Sequence, residues 1–365
     1  MGKILSSALA AVAAVLAIAG CSKEQKELYT LTNASGMKVV VTPFGGRITT
    51  IMVPDRNGDM QDVVLGFDGE ISYHPDHNQT DFGAAIGRYA NRIAQGRMVI
   101  DGKTYQLPQN NFGHCLHGGP TGWQYQPYKV VKAGRNSIKL RIDSPDGDNN
   151  FPGNVTAFVT YTLTPDNGID IRYEATTDAP TVINMTNHSY FNLNGDPSKT
   201  VENCILTLDA DCFTPVDSTF MTTGEILPVE GTPMDFRKGA VLSKDIVNFD
   251  FEQIRFGNGF DHNWCLNTYK DGKGDDTRVA ASLYSPLTGI NLDVYTDEPG
   301  IQVYSGNFLD GTVTGKHGIV YNQRAGICLE SQHYPNSPNH PEWPSVVLRP
   351  GEKYTSHCVF AFSVK

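Results

Sequence analysis

Short segments rich in Val, Ile, Thr, Tyr and Phe recur along the chain, and each is cut off by Gly, Pro, Asn or Asp. "KVVVTPFGG", "SIKLRI", "TAFVTYTLTPDNGIDIRYEATT", "TLDADCFTPV", "AASLYSPLTGINLDVYT", "GIQVYSGNF" and "SHCVFAF" are the clearest. β-Branched and aromatic side chains suit a pleated, half-buried surface, and the punctuating residues are those that make turns. Long amphipathic helical periodicity is missing throughout, which excludes a helical bundle or an alternating α/β fold. "PDNG" predicts a hairpin joining a strand over Val159 to Leu163 with one over Ile169 to Tyr173. No linker with a shifted composition and no internal repeat divides the body, and two packed sheets can run to several hundred residues as one unit. The expectation is an all-β fold, a single large antiparallel β-sandwich.

The N-terminus stands apart. Lys3 precedes an apolar run from Ala8 to Ala19, and "IAGC" closes it at Cys21. A charged start, an apolar stretch and small residues describe an export signal, and "IAGC" resembles the bacterial lipobox. The run falls short of the roughly 20 residues that span a bilayer. Residues 1–20 are therefore expected to be a lipoprotein signal peptide, Cys21 the lipidated first residue of the mature chain, 21–28 a tether and 29–365 the folded domain. Export with a lipid anchor, facing the periplasm or the cell surface, follows. Membrane contact is expected through that lipid only.

A net charge of -10 and the lack of any basic run argue against a nucleic-acid partner. Cys115, Cys204, Cys212, Cys265, Cys328 and Cys358 form no C-x-x-C pair and sit mostly in apolar, strand-like settings, so buried free thiols are expected rather than a zinc site. "DSPDGDNNFPG", residues 143 to 153, has the oxygen-rich composition of a calcium loop but not the full ligand spacing, so any calcium there would be structural.

Polar residues that interrupt the strand pattern are few. In "AGICLESQHY" an extended chain puts Ile327 and Leu329 on one face and Cys328, Glu330 and Gln332 on the other, so Glu330 can face a cleft. In "NMTNHSYFNLNG", an extended Thr186 to Leu193 would align His188, Tyr190 and Asn192 as a polar face suited to a sugar. "NGFDHNWCL" offers Asp261 and Asn263 opposite Phe260, His262 and Trp264, and "GIQVYSGNFLDG" offers Gln302 beside Tyr304. "IGRYANRIAQG" supplies Asn91 and Arg92, and "LHGGPTGW" places His117 before glycines that permit close backbone approach.

These segments, in this order, resemble the aldose 1-epimerase (galactose mutarotase) family from about Tyr29 to Lys365, together with "TGEILPVEGTPMDFR" and "CLESQHYPNSPNHPEWPSVVLRPGEKY". The resemblance implies a mutarotase-like sandwich with a sugar cleft on a concave sheet face. It also implies Glu330 as general base and His188 as general acid. Arg92 and His117 would hold the ring oxygen and neighbouring hydroxyls, while Asn91, Asp261 and Gln302 would orient other hydroxyls.

Interconverting the anomers of a free hexose needs a proton taken from the C1 hydroxyl and another given to the ring oxygen. Only O–H and C–O bonds change, so no cofactor and no metal is required. Glu and His, with ordinary pKa values of about 4.3 and about 6.5, suit the two tasks. A carboxylate close by is expected to raise the pKa of His188. The implied activity is that of an isomerase acting on galactose, glucose or a related free sugar, as a monomer. A non-catalytic sugar-binding lipoprotein keeping Trp123, Asp261 and Gln302, a glycoside hydrolase using Glu330 and Asp261, and a hexose-phosphate epimerase using Arg88 and Arg92 are the alternatives.

Overall fold

A computed structural model describes residues 27–365, so the expected signal segment and Cys21 lie outside the described residues. The first strand of the described residues is Tyr29–Thr32. The hairpin signalled by "PDNG" forms: Val155–Leu163 pairs antiparallel with Gly168–Thr177, starting from Leu163 opposite Ile169. Asn167 supplies the left-handed turn residue at φ 64°. Val155–Leu163 alternates strictly between buried and half-buried positions, as a strand with one face on a core must.

That hairpin belongs to a nine-stranded sheet. It runs from Lys129–Ala133 at one edge through the hairpin, Tyr354–Val364 and Ile290–Thr296 to Ala240–Val241 at the other. A six-stranded sheet faces it, ordered Tyr190–Phe191, Ile327–Gln332, Gly300–Tyr304, Asp261–Cys265, Cys212–Thr214 and Leu227–Pro228. The main core contains Tyr161, Ile171, Leu292, Val294 and Phe360 from the first sheet. Phe213, Trp264, Ile301, Val303, Ile327 and Leu329 come from the second. Contact between these sets makes the structure a sandwich, and it settles which face of the six-stranded sheet is left for other work. Helix is scarce: Glu252–Gly257 is the single α-helix among the described residues, ended by Asn258 in the left-handed conformation. Among the described residues no helix is long and apolar enough to cross a membrane.

The cysteines depart in part from expectation. All six described cysteines are free, but Cys212 and Cys265 are only half-buried, directly opposite one another on neighbouring strands. In the 143–153 turn the carboxylates are already engaged. Asp143 pairs with Arg141 at 2.6 Å, Asp148 accepts from Ser144 at 2.5 Å and Asp146 accepts from the Gly153 amide at 2.6 Å.

Candidate active site

Strand register builds the floor of the site. Gln302 lies directly opposite Glu330, Asn263 opposite Gln302, and Asp261 opposite Tyr304. Directly opposed residues share a face, and so do residues two apart. Asp261, Gln302, Tyr304, Cys328 and Glu330 therefore all point away from the main core, as the alternation in "AGICLESQHY" predicts. His262 and Trp264 point into it, where His262 meets Phe213 and Trp264 edge-on.

The other walls come from segments distant in sequence. Thr186–His188 pairs with Ala84–Ile86, setting His188 opposite Ala84. Arg92–Ile93 pairs with Cys115–Leu116, which carries His117 to the rim of the same space. His117 and Asn91 both adopt positive φ, 51° and 63°, and they lock together: the His117 amide donates to the Asn91 carbonyl, and the Asn91 amide donates to Nδ1 of His117, each at 3.1 Å. A β-carbon on Gly118 would stand 2.3 Å from the Gly87 carbonyl, so the glycine after His117 is required by close approach.

Together these walls enclose a cavity of about 360 Å³ lined by Glu330, His188, His117, Arg92, Asn91, Asp261 and Gln302, every cleft residue expected from the sequence. Its size falls within the roughly 300–1,000 Å³ of ligand pockets. His188 Nε2 and Glu330 Oε1 are 3.6 Å apart, close but beyond hydrogen-bond reach. Glu330 is 1% exposed, and its Oε2, like Oε1 of Gln302, is buried without a protein partner. Unpartnered buried acceptors are costly, and those of a cavity wall are satisfied when a hydroxyl-rich ligand arrives. Gln302 donates to Asp261 at 2.7 Å. Arg92 is anchored on Asn111 at 3.0 Å and lies over the Phe220 ring at 5.3 Å.

Burial dominates the electrostatics. It pushes the Glu330 carboxyl well above the ordinary range, with Asp261 and Asp81 adding to the effect and Arg92 opposing it. Asp261 is raised by burial and held back by Arg92 and Gln302. His117 is pushed down to about 3, again by burial. Since its Nδ1 accepts from Asn91, the proton of this neutral ring sits on Nε2, making His117 a fixed neutral donor. His188 is a correction: its pKa is lowered, not raised, because burial outweighs every neighbouring charge, and the carboxylate that opposes burial is Asp81.

A second correction concerns Thr186 to Leu193. The strand breaks at Ser189, between Thr186–His188 and Tyr190–Phe191. His188 and Tyr190 reach the cavity. Asn192 does not: its amide donates to the Ala325 carbonyl at 2.7 Å and the Lys199 carbonyl at 3.0 Å. Trp123, grouped with the sugar contacts under the binding-module reading, is 1% exposed and packs against Gly87 instead. Arg88 is also withdrawn from any ligand, buried and donating to the Pro152 and Gly153 carbonyls and to Ser144 Oγ.

Sequence reading missed Asp81, Asn111 and the aromatic rim. Phe112, Phe220 and Phe308 form a chain of ring contacts at 5.2 and 5.4 Å along the cavity wall. These residues come from loops with no periodicity to betray them. Phe112 and Phe220 even sit at positive φ, 45° and 62°, which bulky residues seldom adopt without a role. A hollow of about 340 Å³ elsewhere is lined by Asp211 and Arg237, already paired at 3.2 Å, and lacks orphaned buried side chains. As for cations, Asp81, His117 and His188, or His188, Cys328 and Glu330, bring donor atoms within 4.8 Å of one another. Either set would take His188 away from a sugar.

The aldose 1-epimerase family model matches residues 27–361. A galactose mutarotase of Sus scrofa is 44% identical over 332 residues, covering 90% of this chain and 92% of the relative. An aldose 1-epimerase of Escherichia coli (strain K12) is 40% identical over 338 residues, covering 92% and 94%. Among solved structures, an aldose epimerase homologue from C. elegans superposes with a TM-score of 0.83 at 33% identity, covering 92% of this chain and 98% of that one. With its sheet order, its cleft and its near full-length likeness to these proteins in agreement, the chain belongs to the aldose 1-epimerase family.

Proposed function

We infer that the protein is an aldose 1-epimerase that interconverts the α and β anomers of free hexoses such as galactose and glucose. The observation that carries the reading is the Glu330–His188 pair, 3.6 Å apart on the wall of a sugar-sized cavity, with a carboxylate oxygen left unpartnered. The two oxygens that exchange protons in the reaction, O1 and O5, are both bonded to C1. An acid and a base serving them must stand side by side.

In the forward step Glu330 takes the O1 proton while His188 gives one to O5. The C1–O5 bond breaks and an open aldehyde forms. Rotation about C1–C2 presents the other carbonyl face, and reclosure returns both protons with the roles exchanged. His117 donates through Nε2, Arg92 and Gln302 contribute further polar contacts, and Asp261, held by Gln302, accepts from hydroxyls. The aromatic rim gives the less polar face of the ring a surface to lie on. Bound hydroxyls donating to Glu330 favour its ionised form, which restores the base that burial alone suppresses.

Among the described residues Arg92 is the one Arg or Lys lining the cavity, which favours neutral sugars over phosphorylated ones. Asp261 is tied to Gln302 rather than poised to activate a water, which disfavours glycoside hydrolysis. Export and lipid attachment at Cys21, which would display the body at a membrane surface, complete the proposal on the strength of Lys3, the apolar run and "IAGC".

The test is polarimetry on freshly dissolved α-D-galactose and α-D-glucose. Wild-type protein is expected to speed the approach to equilibrium, and Glu330→Gln to lose at least about 10²-fold of that rate. Tight sugar binding with an unchanged drift would support a binding module. New reducing ends from a glycoside would support hydrolysis.

A further inference from the structure

Asp81 is a half-buried carboxylate on the cavity wall, and one of its oxygens lies within 4.8 Å of a ring nitrogen of His117 and of one of His188. It is held in place from behind. Tyr125 donates its hydroxyl to Asp81 at 3.1 Å. The buried Arg47 guanidinium binds the carbonyls of Thr80 and Phe82, which flank Asp81, and the carbonyl of Gln124, which precedes Tyr125, at 2.7 to 3.0 Å. One arginine thus fixes both the segment that bears the carboxylate and the segment that orients it.

Several groups face the His188 ring. Glu330 stands 3.6 Å away and Cys328 3.5 Å away. The His117 and Tyr190 rings lie at 5.2 and 5.1 Å, Asp81 is within 4.8 Å, and Arg47 acts from behind. Glu330 gains a proton in the same step in which His188 gives one up, so its charge is lost as the transfer proceeds, whereas Asp81 takes no part in the exchange. Among the described residues Asp81 is the other carboxylate beside the ring.

We propose that Asp81 is a positioning residue for the epimerase reaction, a second carboxylate that offsets part of the cost of burying a protonated His188 while Glu330 acts as base. This rests on the assignment of His188 as general acid. A negative charge at this place favours protonation of His188 and of Glu330 alike, because both pKa values respond to it in the same direction.

Asp81→Asn removes the charge and keeps the shape. Both limbs of the pH–rate profile are expected to slide downward by about one pH unit, with kcat near neutral pH falling about 10-fold and KM little changed. Asp81→Glu should restore the position of the profile. A profile of unchanged position and lower height would mark a packing role, and a raised KM at constant kcat would mark a plain sugar contact. Either result overturns the proposal. Should Asp81→Asn fail to fold, Tyr125→Phe, which removes the donor that orients the carboxylate, is expected to move both limbs the same way by less, and unmoved limbs would overturn it. His188→Asn separates the two readings: if that variant stays active, the assignment of the acid itself has failed.

Discussion

Glu330 is a carboxyl group with almost no access to bulk water and one oxygen that no protein group claims. Its raised pKa makes the stability of the fold depend on pH. The unfolded chain releases this proton near the ordinary value of about 4.3, whereas the folded chain holds it to higher pH, so stability falls as pH rises between those points. A neutral isostere escapes that loss. Glu330→Gln is therefore expected to melt at a higher temperature than wild type at pH 8 while losing its epimerase activity, and a lower melting temperature would contradict the burial argument. The position of Glu330 was legible because period-two alternation puts it opposite Ile327 and Leu329. Asp81 was not legible, since "QTDFG" has no period and nothing in it fixes a direction for the side chain. Asn192 was misread for a related reason: the strand ends at Phe191, so period-two alternation no longer governs the residue that follows.

At the level of elements, the strand Tyr354–Val364 is central to the nine-stranded sheet. His357 on it bridges Asp170 at 3.0 Å and Asp276 at 2.6 Å. The hydrogen bond to Asp170 is the largest influence on its pKa, and the net effect is upward. A raised histidine contributes stability that is fully present below its unfolded pKa of about 6.5 and is lost as pH climbs through the folded value. His357→Gln should accordingly cost about 1–3 kcal/mol at pH 6 and markedly less at pH 9, measured by urea unfolding at both. An equal cost at the two pH values would show that packing alone is at stake. Strands and the "PDNG" hairpin could be read from sequence because their side chains obey a local rule. Which strands become neighbours is decided by non-local burial, and for that reason the aromatic rim and the meeting of His117 with His188 emerge only in the fold.

For the whole molecule, the sandwich class followed from strand count, turn chemistry and the lack of helical periodicity, while the concave cleft came with the family resemblance. The anchor proposed at Cys21 is tested on the complete chain. Cys21→Ser is expected to move the protein from the membrane fraction to a soluble one and to end incorporation of labelled fatty acid, leaving the epimerase rate of the purified body unchanged. Fractionation that does not change would remove the anchor from the proposal. The side-by-side placement of imidazole and carboxylate also bears on flux. Two groups that trade donor and acceptor duties within one turnover treat either handedness at C1 as equally welcome. Such a catalyst shortens the wait for equilibrium without tilting it, and net flow is set by whichever neighbouring enzyme or transporter drains a single form.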